Sequence, residues 1–265
     1  MLDSLRRLLR YRGLISSLVA RELKARYRGS ALGFFWSFIN PLLLLSIYSF
    51  VFKVVLPGTH SKEVEPFALF MFCGILPWTW FTSSLSEAAG SLISGGNLIE
   101  KVLFPAEVLP LVSVLTNMVH FFLGLPILIV FLLVSGHYPD PAGLAWFPVA
   151  VLVELVFASA LALILSALAV HFRDIRDILA NVLMLWFFAT PIIYPWFQPN
   201  VQRFRWLFNL NPFTHLAVSY QEILFFPGPV GHWKWLLALG VGSVFLFMAG
   251  YWLFDRLRDS FAEAV

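Results

Sequence analysis

Read only for apolar and polar positions, the chain is a series of long apolar runs separated by short breaks. The runs lie at 31–56, 67–85, 108–134, 145–170, 178–194 and 233–254. Each approaches or exceeds the roughly 20 residues a helix needs to cross a bilayer's hydrocarbon, the fifth being the short one. Pro57-Gly58, the stretch 136–143 and the stretch 227–231 read as connectors between them rather than as domain boundaries. No internal repeat or low-complexity segment is visible. The pattern predicts an all-α polytopic membrane protein with six transmembrane helices, preceded by a separate segment at 1–30.

Two stretches break the alternation and carry most of the information. The first begins with a charged turn, His171-Phe-Arg-Asp-Ile-Arg-Asp177, continues as the short apolar run, and ends at Pro191 and Pro195. The adjoining segment 196–226 is too interrupted to span and too apolar for an ordinary loop. Backbone of that kind at membrane depth must be buried in protein or line a cavity. It is therefore expected to be half-inserted in the membrane, beginning at Trp196 and Phe197. The second stretch, 91–104, reads as a short amphipathic helix ended by Pro105. Leu98, Ile99, Val102 and Leu103 make its apolar side, and Asn97, Glu100 and Lys101 face elsewhere. Such a helix can dock into a groove on a soluble partner or rest on the membrane surface, and its spacing fits both.

The first thirty residues are amphipathic too. Leu2, Leu5, Leu8 and Leu9 share a helical face and Arg6, Arg7 and Arg10 surround it; beyond Gly13, Leu14, Ile15, Leu18 and Val19 continue the pattern. The stretch lacks the apolar core and small-residue site of a cleaved leader. A helix lying in the membrane interface fits the leucine spacing, and a solvated basic anchor is the alternative.

Composition agrees with the pattern. Of 265 residues, 60% are hydrophobic and 12% charged, against about 25% charged in a soluble domain; mean hydropathy is +0.82. A single cysteine, Cys73, excludes an intramolecular disulfide. Six spans place both termini on one side. That side collects thirteen of the eighteen Lys and Arg residues: the eight before position 30, with Lys101, Arg173, Arg176, Arg256 and Arg258. The positive-inside rule makes it cytoplasmic, so 87–107 and 171–177 become cytoplasmic loops.

Candidate chemistry is sparse. Gly95-Gly96…Lys101 lacks the Gly before the Lys and the Ser or Thr after it that a phosphate-binding loop requires, so ATP hydrolysis would fall to another polypeptide. There is no nucleophile elbow, no His-Glu-x-x-His pair and no Cys-x-x-Cys, hence no expected catalytic residue and no expected metal site. Nothing points to nucleic acid as a partner. Two intramembrane polar residues, His120 and Glu154, come out at similar depth at about 1.5 Å per residue. An intramembrane carboxylate is a functional candidate, but a hydrogen bond between these two that packs helices together is the favoured expectation. Aromatic residues make up 17% of the chain. Many fall at span ends, where interfacial belts account for them. Phe34, Phe38 and Tyr48 on the first span and Phe187, Phe188 and Tyr194 on the fifth are the candidates to line a conduit, because aromatic faces suit the apolar C–H faces of sugar rings; lipid-facing or core packing is the alternative for each.

Several motifs, in order, carry a family resemblance. They are Arg21-Glu-Leu-Lys-Ala-Arg-Tyr-Arg-Gly-Ser-x-Leu-Gly-x-x-Trp36-Ser-x-x-Asn40-Pro41, the turn His171–Asp177, Thr190-Pro-Ile-x-Tyr194 and Leu210-Asn-Pro212. Together they resemble the membrane subunits of type-2 ABC exporters that handle O-antigen, teichoic acid or capsule chains. The resemblance covers essentially the whole chain. It implies a homodimer in the cytoplasmic membrane, two copies of a separate ATPase that bind ATP and magnesium, and a lipid-linked glycan as substrate. It also implies that 91–104 is the coupling helix, with Asn97, Leu98, Ile99, Glu100 and Lys101 facing the ATPase, that the basic N-terminal helix with Arg6, Arg7 and Arg10 lies where substrate comes in, and that 196–226 forms re-entrant helices at the exit. Two other functions stay open on the residues: a type-2 exporter of a small lipid or drug, and a membrane-embedded glycosyl- or acyltransferase using His120 and Glu154.

Overall fold

The computed structural model describes residues 11–26, 28–30, 32–55, 62–96, 105–172, 174–258 and 261. Among them the structure is helical, with no strand. In chain order the α-helices are α1 (Arg12–Arg26), α2 (Trp36–Phe50), α3 (Phe67–Ser94), α4 (Val108–Val134), α5 (Pro141–Leu144), α6 (Phe147–His171), α7 (Ile175–Phe188), α8 (Pro199–Arg203), α9 (Arg205–Leu210), α10 (Pro212–Leu224) and α11 (Trp233–Leu257). A 3₁₀ turn at Gly33–Phe35 leads into α2, and a π-helical turn at Val51–Val55 prolongs it.

Among the described residues, five segments are long and apolar enough to cross a membrane: Gly33–Val55, Phe67–Ser94, Val108–Val134, Pro141–His171 and Trp233–Leu257. The fifth expected run, 178–194, differs. Its helix, α7, has 14 residues, about 21 Å of rise against the roughly 30 Å of a hydrocarbon core. It ends at Phe188 because Pro191 and Pro195 cannot continue it, and turns fill the rest of the apolar run.

Helix α3 is the hub. The apolar window of Phe67–Ser94 is 83% buried, against 6% for that of Gly33–Val55, so α3 is enclosed by its own chain and α2 lies at the rim. Phe70, Phe81 and Trp80 of α3 meet Phe225, Phe157 and Phe121 at centroid distances of 5.6, 5.5 and 5.2 Å. Its hydroxyls return to their own helix: Thr79 Oγ1 donates to the Ile75 carbonyl at 2.9 Å and Ser84 Oγ to that of Trp80 at 2.6 Å. No side-chain hydroxyl of that pair is thus left bare in an apolar setting.

Helix α11 seats against α6 through small residues. A Cβ on Gly250 would sit 2.9 Å from the Ala160 carbonyl oxygen, and one on Gly240 would sit 3.0 Å from Val153. Ala158, Ala160, Ala162 and Ala167 of α6 are fully buried. Close backbone approach through small side chains is how apolar helices gain contact when both faces are equally greasy.

Helix α1 is docked along one face. Leu18 is buried with Val108 and Val112 at the start of α4, and Leu14, Ile15 and Val19 flank them. Those are the apolar positions marked by spacing beyond Gly13. Arg6, Arg7 and Arg10 lie outside the described residues. So do Asn97, Leu98, Ile99, Glu100 and Lys101; of the expected amphipathic helix at 91–104, residues 91–94 form the last turn of α3.

Candidate functional site

Two recesses flank the α3 hub. The first, of about 420 Å³, is an open groove between α3 and α7, lined by Trp78, Thr82, Ser86, Leu183, Met184 and Phe187. It is amphipathic: two hydroxyls on one wall, ring faces and aliphatic chains on the other. Of the conduit candidates, Phe187 borders this groove and packs on Trp78 at 5.9 Å. Phe188 beside it is 58% exposed. Phe34 is exposed on α2's leading turn and meets Phe38 edge-on at 5.6 Å. Tyr48 turns inward to stack on Phe52 at 6.4 Å. Tyr194 is half-buried, donating its hydroxyl to the Phe188 carbonyl at 2.8 Å and meeting the Phe208 ring at 6.0 Å.

The turn after α7 is fastened by one residue that spacing did not single out. Asn211 caps α10, its Oδ1 accepting from the Phe213 backbone N–H at 3.0 Å. The same oxygen accepts from Trp186 Nε1 at 2.6 Å, and Nδ2 donates to the Ala189 carbonyl at 3.0 Å and to Thr190 Oγ1 at 2.9 Å. Gln221 Nε2 adds a bond to the Pro191 carbonyl at 3.0 Å. Gly74 makes room, since a Cβ there would meet Gln221 at 3.2 Å and Ile192 at 3.3 Å. The Thr190-Pro and Asn211-Pro motifs, 21 residues apart, are thus two halves of one joint between α7 and α10. In sequence they stood only as two separate motifs of the family resemblance.

Trp196 and Phe197 come directly after this joint. Trp196 meets His232 at 5.4 Å and Phe197 meets Phe226 at 6.0 Å. Beneath them His215 stacks on Trp235 at 4.7 Å and lies 5.6 Å from His232. Burial, then repulsion from His215 and Arg205, pulls the His232 imidazole down from its ordinary 6.5 to about 4. Burial likewise raises the Glu222 carboxyl, although it accepts the His232 backbone N–H at 2.9 Å. The 3.8 Å contact of His232 Nδ1 with Glu222 Oε1 is therefore not an ion pair near neutral pH, where the imidazole is uncharged.

The second recess, about 470 Å³, lies between α1, α2, α3 and α4. One corner is a charged clasp. Arg26 at the end of α1 contacts the Glu87 carboxylate of α3 and reaches Asn117 Oδ1 of α4 at 3.3 Å, while Asn117 Nδ2 donates to Glu87 at 2.7 Å. His120 lies on this recess, its Nδ1 3.5 Å from Ser37 Oγ.

The expected His120–Glu154 hydrogen bond is not formed. His120 turns to α2, whereas Glu154, fully buried on α6, has no hydrogen-bond partner at close range and sits instead beside the Tyr220 phenol of α10. Counting residues from span ends fixes height but not direction around the helix axis, and the two residues point away from one another. No group of three or more His, Cys, Asp or Glu residues is placed to hold a metal among the described residues.

The model of the ABC-2 type transporter family matches residues 13–225, from α1 through α10. The chain belongs to the ABC-2 type transporter family. Across 100% of both chains it is 43% identical to the O-antigen export system permease protein RfbA of Myxococcus xanthus. It is 32% identical to the RfbA protein of Klebsiella pneumoniae over 94% of each chain. It is 26% identical to the capsule polysaccharide export inner-membrane protein CtrC of Neisseria meningitidis over 63% of this chain and 62% of that one. As an ABC-2 transporter it is a multi-pass membrane transport subunit, and both recesses and the Asn211 joint fall inside the matched region.

Proposed function

We propose that this chain is the membrane-spanning subunit of an exporter that carries a lipid-linked, O-antigen-like polysaccharide across the cytoplasmic membrane. A separate ATPase subunit drives it, binding ATP and magnesium. Two copies of the chain pair around the conduit, each with one ATPase, and both termini are cytoplasmic. Helix α7 with the turns at 189–195 completes a sixth crossing, and α8 to α10 form the re-entrant exit. The coupling residues Asn97 to Lys101 dock on the ATPase, and the lipid-linked end approaches along the basic N-terminal segment with Arg6, Arg7 and Arg10.

The observation that carries this reading is the full-length likeness to the M. xanthus O-antigen export permease. The uncovered faces of α2 and α7 support it. Leu43, Ile47 and Phe50 on one, and Ile178, Leu185 and Phe188 on the other, are exposed in a single copy. The half-hydroxylic, half-aromatic groove between α3 and α7 opens beside them. In ATP-driven movement α2 would rock against α7, and the chain would slide over ring faces that bind no single sugar deeply.

The test is purification of the tagged chain from its own membranes with whatever accompanies it. A one-to-one ATPase whose hydrolysis rises with a lipid-linked glycan is the expected result, lost in Leu98→Asp, which would detach the ATPase while leaving membrane insertion intact. A homogeneous complex lacking any ATPase would overturn the reading. Stimulation by a small lipid or drug and not by a glycolipid would make the chain a small-molecule exporter.

A further inference from the structure

The recess between α1, α2, α3 and α4 differs in chemistry from the groove on α7. Trp36, Ser37 and Asn40 in the first turns of α2 form one wall, Thr79 and Ser83 of α3 another, and Asn117 and His120 of α4 a third, with Ser30 at the rim. His120, at the inner end of this room, lies twelve residues into α4 from Val108, about 18 Å by helical rise, so the room reaches membrane depth there. Polar lining at that depth is costly unless it serves packing or a ligand. Packing does not account for it, since the space is about 470 Å³.

The lining selects the kind of ligand. Arg26 is the lining residue with a fixed charge, and its guanidinium is taken up by Glu87 and Asn117. A phosphate could be bound only by breaking that clasp. What remains is hydroxyl, amide and imidazole beside the apolar Pro41, Leu76, Trp80 and Phe121, with the indole of Trp36 steadied by its N–H donated to Ser30 Oγ at 3.1 Å. Short-range donors and acceptors beside an aromatic ring suit a neutral polyhydroxyl ring. The volume falls within the 300–1,000 Å³ of small-molecule pockets and takes roughly one or two such rings.

We infer that this recess binds the neutral sugar at the lipid-proximal end of the exported glycan, held within each copy of the chain and apart from the conduit. The assignment rests on the proposed export of a lipid-linked glycan. In such a site Asn40 and Ser83 hydrogen-bond sugar hydroxyls from opposite walls, and the Arg26–Glu87–Asn117 clasp joins α1, α3 and α4 around it. The sugar is thus sensed where the N-terminal helix meets the bundle.

The experiment uses the assembled transporter with its ATPase in nanodiscs and two probes: a polyprenyl diphosphate carrying one hexose, and the same polyprenyl diphosphate without sugar. Wild type should bind the sugar-bearing lipid at least about tenfold tighter. Ser83→Phe, which fills the recess, and Asn40→Ala, on an exposed residue that carries the test should Ser83→Phe fail to assemble, should each cut that preference below about threefold. Val241→Phe, on the exposed face of α11, should leave it intact. A tenfold preference retained by both recess variants, or absent from wild type that still binds both lipids, overturns the sugar site alone. Free hexose competing as well as the lipid-linked form would also overturn it, as a site for soluble sugar. Failure of wild type to bind either lipid would count against the export reading itself.

Discussion

At the residue scale, Asn211 concentrates polar contacts: its one amide joins the start of α10 to the end of α7 and the turn that follows. It caps α10 and holds the backbone and hydroxyl of the turn after α7 with the remaining amide atoms. Asn211→Ala removes a cap and strands Trp186 Nε1, a combined loss of about 2–4 kcal/mol. A marked drop in melting temperature in detergent is expected. Asn211→Asp keeps the acceptor for Trp186 and Phe213 but not the donors, and should recover part of the loss. Equal melting of wild type and the alanine variant would refute the joint. His232 supplies a pH signature. Unfolded, it takes its proton near 6.5; folded, only near 4. Between those values the unfolded chain binds more protons, so stability falls as pH drops from 6.5 to 4. Burial lowers His215 in the same sense, while Glu222, raised by burial, works the other way. The difference between wild type and His232→Phe isolates the imidazole. Thermal melts should show a steeper acid loss in wild type, and parallel curves would contradict its buried neutral state.

At the scale of elements, the α6–α11 contact depends on glycine for closeness rather than for backbone freedom. Gly250→Val drives two methyls toward the Ala160 carbonyl and Ile164. The expected cost is about 1–3 kcal/mol, read as a lower melting temperature and reduced yield of monodisperse protein. Gly242 on the same helix has open space at its Cβ position, and Gly242→Ala should be neutral or slightly stabilising. Comparable damage from both substitutions would show that helix propensity, not packing, governs α11. The spans at 108–134 and 233–254 were legible to within a few residues, since each is a long uniform apolar run. The run at 178–194 was not, because half of it is helix and half a turn fastened by a residue about 20 positions downstream.

On the scale of the complete chain, α3 is wrapped by its own neighbours while α2, α7 and much of α11 are not. If α2 and α7 form the face between two copies, cysteines there should cross-link. With buried Cys73 replaced by alanine, Ile47→Cys and Leu185→Cys should give dimers with a short bis-maleimide in native membranes. Trp252→Cys, exposed on α11, should not. Cross-linking through α11 alone would move the interface to the opposite side of the bundle.

Residue order was enough to establish that the chain lives in a membrane, where most of its long helices begin and end to within a turn or two, though α3 runs on to Ser94 beyond the expected 85, and which stretches carry its positive charge. These follow from hydrophobicity and helical rise, properties additive along the chain. Its ordered motifs were enough to suggest the family. Folding in three dimensions was needed to make α3 central and to dock α1 on α4. It also set Glu154 beside Tyr220 rather than His120, and enclosed a polar recess among four helices. Each of these depends on rotation about helix axes and on close approach between residues far apart in sequence. Neither is additive along the chain: both are settled by how side-chain volumes fit, as where Gly250 lets α11 close on α6 and Gly74 admits Gln221.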